Sequence, residues 1–95
     1  MPYGAAAVNC ECGSATVTVT GGAKALYIKN LSNITEYVDI NDSATGLDVK
    51  IAAGTAFPIA AGDAHTFGPL SYDWINNFQH GTGSGTAATL NWGEM

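Results

Sequence analysis

Ser14-Ala15-Thr16-Val17-Thr18-Val19-Thr20 is the stretch that decides the fold. Its valines fall on one side and its threonines on the other. A repeat of two belongs to a half-buried strand, and β-branched residues suit a pleated surface. Gly21-Gly22 follows and reads as a tight hairpin turn. Residues 24–32 form the next expected strand, with Leu26 and Ile28 on one face and Tyr27, Lys29 and Leu31 on the other. Asn33 supplies a turn. Residues 35–40 repeat the pattern, with Val38 and Ile40 inward and Tyr37 and Asp39 outward.

Asn41-Asp42-Ser43 opens a polar loop that runs to Gly46. Leu47, Val49 and Ile51 then alternate with Asp48 and Lys50, and Gly54 ends the run. Residues 56–60 are a short piece in which Pro58 indicates an edge or a strand start. A turn at 61–63 leads to short strands at 64–67 and 70–75, separated by Gly68-Pro69. One helical candidate, a short turn, lies around 72–78. Residues 81–85 form a glycine-rich turn, and 86–92 close the chain with Thr86, Ala88, Leu90 and Trp92 on one face. No longer segment carries a helical stripe. The expected fold is all-β: a small antiparallel β-sandwich or jelly-roll-like barrel of about seven to eight short strands. Residues 1–13 lack alternation and are expected to be an extended N-terminal arm that orders against a neighbour. Residues 14–95 are expected to form a single domain.

Composition narrows the function. The chain has 95 residues, three lysines, no arginine and eight carboxylates, for a net charge of -5. So few cations cannot neutralise many phosphates, which argues against nucleic acid and against an anionic membrane as partners. Leu, Ile, Val and Phe make only 19 residues, a thin core that favours oligomerisation. Ten threonines, seven asparagines and twelve glycines take the place of the usual charges. Uncharged polar residues are cheap to cover with protein, as in a subunit of an assembly. The start of the chain lacks a basic region followed by a long apolar run, so a secretory signal is not expected. Cys10 and Cys12 are expected to be reduced in a cytosol.

Chemistry-bearing patterns are sparse. Cys10-Glu11-Cys12 has a spacing narrower than usual for zinc, and His65 and His80 are distant in sequence. Oxygen-bearing side chains recur from Asp39 to Asp48 without the closing bidentate carboxylate of a calcium loop. No nucleophile elbow, paired carboxylates or phosphate loop is present. The expectation is a protein without enzymatic activity, without cofactor and without metal. Aromatic residues collect late, at Phe67, Tyr72, Trp74, Phe78 and Trp92. Phe67 and Trp92 are expected in the core. Tyr72, Trp74 and Phe78, with Tyr3 and Val8 on the arm, are the candidate partner-binding residues, because aromatic side chains anchor interfaces.

The runs Leu26-Tyr27-Ile28-Lys29-Asn30-Leu31, Tyr37-Val38-Asp39-Ile40 and Ile51-Ala52-Ala53-Gly54, followed by Gly83-Ser84-Gly85-Thr86-Ala87-Ala88-Thr89-Leu90, resemble a pattern in small β-sandwich virion proteins of tailed bacteriophages. The resemblance covers about residues 24–92; the Cys-x-Cys arm has no counterpart in it. It implies a capsid decoration (cement) protein on the outer shell, contacting the major capsid protein as a homotrimer. The implied location is the virion surface, with assembly in the host cytoplasm. A tail, fibre or head-to-tail adaptor subunit is the alternative in the same class, and a carbohydrate-binding module is the alternative from another.

Overall fold

The computed structural model describes residues 3–8, 14–41, 57–71, 74–82 and 86–95. Among these residues eight strands carry the fold: β1 (Tyr3–Val8), β2 (Ser14–Ala23), β3 (Leu26–Asn30), β4 (Glu36–Ile40), β5 (Phe57–Ile59), β6 (Ala64–Phe67), β7 (Ile75–Gly81) and β8 (Ala88–Glu94). They form two four-stranded sheets, ordered β1-β8-β3-β6 and β2-β7-β4-β5. Every described pairing is antiparallel. The first strand pairs with the eighth, the second with the seventh, the third with the sixth and the fourth with the fifth, and successive pairs alternate between sheets. A long antiparallel hairpin rolled up on itself gives this order, so the sandwich is a jelly roll.

Alternation dictates what is buried. Along β3 the pattern is strict, with Leu26, Ile28 and Asn30 buried between exposed Tyr27 and Lys29. Val38 of β4 and Leu90 of β8 face the same interior, with Val19, Ile59, Phe67, Ile75 and Phe78. Trp92 packs against this cluster, its ring edge-on to Phe78 at 5.8 Å between centroids. Each fully buried large apolar side chain contributes about 1.5–3 kcal/mol.

Four expectations change. The arm at 1–13 contributes Tyr3–Val8 to the first sheet, where it pairs with β8 over all six residues. Its glycine and alanines show no polar–apolar alternation, so sequence period was blind to it. Gly21-Gly22 is not a hairpin turn between sequence neighbours. Both glycines have positive φ and belong to a bulge between Thr18 and Ala23, after which the chain crosses to the other sheet. The strand expected at 70–75 lies later, at Ile75–Gly81, and the helical turn around 72–78 gives way to it over the described part. Ile75 and Phe78 are three residues apart and both fully buried, so the alternation slips by one residue between them and hides the period. Fourth, Phe78 is a core residue with no exposed surface, not a contact residue. The strand expected around 47–51 lies outside the described residues.

Asn41 shows how the slip is held. It sits at the end of β4 with φ 59°, a left-handed conformation that asparagine tolerates. Its backbone N–H donates to the Asn77 carbonyl at 2.8 Å. Its side-chain Oδ1 accepts from the Asn76 N–H at 2.8 Å, and its Nδ2 donates to the Trp74 carbonyl at 3.1 Å. One side chain thus fixes the irregular start of β7.

Candidate functional site

The clamp on β7 places Trp74. Its indole is 48% exposed, and Lys24 Nζ sits 4.4 Å above the ring centroid. Gly22 makes the approach possible: a Cβ there would meet Trp74 Cβ at 3.2 Å. Two further exposed apolar side chains gather around the start of β3. Tyr27 projects from the outer face of the first sheet, with Gly93 and Thr66 as its cross-strand partners. The Met95 N–H donates to the Ala25 carbonyl at 3.0 Å, and Thr66 Oγ1 donates to Met95 Sδ at 3.8 Å. Gly93 leaves a shallow depression of about 520 Å³ beside Tyr27, lined also by Gly4, Ala5 and Asn91. Met95 and Tyr27 thus both lie against Thr66, while Trp74 is held apart from them by its contact with Lys24.

Of the candidate contact residues, Trp74 is exposed. Phe78 is in the core, as corrected above. Tyr3 and Val8 lie on β1, opposite Gly93 and Ala88 respectively. Tyr72 lies outside the described residues. The backbone therefore places Tyr3 and Tyr27 on one row, on either side of Gly93 of β8, and separates both from Phe78.

A second constellation lies inside the sandwich, where β4 begins and β7 ends. Glu36 and His80 are buried, and His80 Nδ1 donates to Glu36 Oε1 at 2.5 Å. Val38 pairs with His80 in the ladder, so Glu36, two residues earlier, is its diagonal neighbour on the inward face. Glu36 Oε2 and His80 Nε2 are buried without a hydrogen-bond partner among the described residues. Asn30, buried on the facing sheet, donates from Nδ2 to the carbonyls of Ile34 at 2.7 Å and Ile59 at 3.0 Å, and accepts from the Ser32 N–H. Both side chains are buried, so the pair lies in the interior of the sandwich. Sequence reading missed it, although the period that put Val38 and Ile40 inward put Glu36 there too.

His65 is half-buried on β6, between rings. It stacks on Phe57 at 4.0 Å and meets Phe67 edge-on at 4.7 Å between centroids. These rings bridge the two sheets along the β5/β6 side. Among the described residues, no three His, Cys, Asp or Glu side chains group as metal ligands would.

The strand order defines a small jelly-roll sandwich. Comparison with family models, curated proteins and solved structures found no match to this chain.

Proposed function

We propose that this chain is a non-enzymatic virion structural protein, a capsid decoration protein that binds the outer surface of the shell. The observation that carries the reading is the exposure of large apolar side chains, Trp74, Tyr27 and Met95, on a body whose described residues are mostly strand. Aromatic anchors of this kind supply most of the energy of a protein interface, while the surrounding polar residues exclude water. A low-charge surface of threonine and asparagine loses little on being covered. Bridging neighbouring copies of the major capsid protein adds buried area across junctions that internal pressure opens. The jelly-roll winding is shared by viral capsid proteins, lectins and cupins, so the fold is compatible with this reading without deciding it.

The test is co-sedimentation of the purified protein with shells that lack it. Saturable binding is expected, and Trp74→Ala should weaken it by about tenfold or more. No co-sedimentation with shells overturns the decoration reading, and binding confined to tails favours the tail, fibre or adaptor alternative. The depression beside Tyr27 and the exposed Asn91 favour one second reading, a carbohydrate-binding module, in which the ring stacks on a sugar. Saturable quenching of intrinsic fluorescence by a simple glycan, lost in Tyr27→Ala, would support it.

A further inference from the structure

The four sheet edges are not alike. β5 has three residues, one of them Pro58. β6 has four, and its His65 stacks across to Phe57. The bulge in β2, with Gly21 and Gly22 at positive φ, breaks the second half of that edge. Short strands, proline and bulges all keep an edge from recruiting another strand. β1 has none of these devices. Its six residues run in unbroken register against β8, without proline, bulge or charge. Among the described residues nothing pairs with its other side. That side presents a row of backbone N–H and C=O groups suited to an added strand.

We propose that β1 is an oligomerisation edge and that its occupant is β1 of a second copy, antiparallel about a two-fold axis. The inference deepens the self-association in the decoration reading, replacing the three-fold arrangement that the phage resemblance implies. Three observations favour a second copy. A two-fold perpendicular to the sheet must set outward residues opposite outward residues, so the axis passes at a residue, and the longest pairing of the six puts it at Ala5 or Ala6. In either register alanine meets alanine, and no bulky or charged side chain is forced against its own copy. The net charge of -5 opposes self-association elsewhere, yet none of the eleven charged residues lies on β1 or on β2, the strand beside it. Finally, one side of a body measuring 33 × 28 × 22 Å offers roughly 600–900 Å² per copy, close to the ~800 Å² per partner of a specific interface. Pairing would merge two four-stranded sheets into one of eight.

Sedimentation velocity of the full chain between about 10 and 500 μM tests this. The expected species has twice the 9.7 kDa chain mass at the upper concentrations. Ala5 is exposed, so Ala5→Lys should keep the far-UV circular dichroism and sediment as a single chain. Mixing Ala5→Lys with Ala5→Glu should restore the pair. A single chain throughout, a trimer, or a pair that Ala5→Lys leaves intact each overturns the proposal. Should the variants fail to fold, amide exchange of the unaltered chain decides: the β1 amides on the free edge should slow as concentration rises, and no slowing overturns it. Shell binding by a protein that stays single would reject the β1 edge alone, whereas a pair that binds no shell would reject decoration alone.

Discussion

Replacing Glu36 with leucine removes the acceptor from a buried donor while nearly conserving volume. His80 Nδ1 then loses its Glu36 partner, and among the described residues His80 Nε2 already has none. Breaking a buried pair from one side costs about 3–5 kcal/mol, because a polar group stays desolvated with nothing to compensate it. A domain of 95 residues has a total stability of about 5–14 kcal/mol. Glu36→Leu should therefore remove about a fifth or more of it and lower Tm by at least about 12 °C. The double variant Glu36→Leu/His80→Leu should recover most of the loss, since apolar replacements of a buried pair are often neutral or stabilising. Urea unfolding followed by tryptophan fluorescence, at one pH for every variant, gives the cycle. A Glu36→Leu cost below about 1 kcal/mol would refute the reasoning, as would a double variant no more stable than the sum of the singles.

Other variants probe other parts of the same structure. Asn30→Ala leaves the Ile34 and Ile59 carbonyls without their donor and should cost about 2–4 kcal/mol in the same assay. Gly68→Ala should cost about 2 kcal/mol or more, because φ is +91° and the new Cβ would lie 2.5 Å from the Lys24 carbonyl oxygen. Phe78→Ala should cost about 3–5 kcal/mol as a cavity in the core, read from the urea midpoint. Trp74→Ala should cost under about 1 kcal/mol, the worth of its exposed contact with Lys24, while shell binding falls.

How far the residues revealed the structure depended on whether side-chain identity alternated with the backbone. Where it did, in β3, β4 and β8, the buried faces were legible from Leu26, Ile28, Val38 and Leu90 alone. β1 escaped because Gly4, Ala5 and Ala6 look the same on either face. β7 escaped because its phase slips between Ile75 and Phe78 and because Gln79 and His80 are buried polar residues. Gly21-Gly22 departs from a hairpin turn for a topological reason. A glycine pair marks positive φ, but it does not say whether the next strand returns to its neighbour or crosses to the other sheet.

The exposed site was legible only in kind. Late aromatic residues were flagged as anchors, and Trp74 is exposed while Phe78 is sealed; the Asn41 clamp that separates them depends on residues 33 to 35 positions apart. Glu36 and His80 are 44 residues apart, and only the jelly-roll winding brings β4 against β7. Long-range pairing of this kind leaves no local mark, although the inward parity of Glu36 was there to be read.

Quantitative mass spectrometry of purified virus particles, with the protein's copy number referred to the major capsid protein, tests capsid decoration most directly. The predicted result is many copies in a fixed ratio to the shell subunit, removable without dismantling the shell. Absence from purified particles would contradict it.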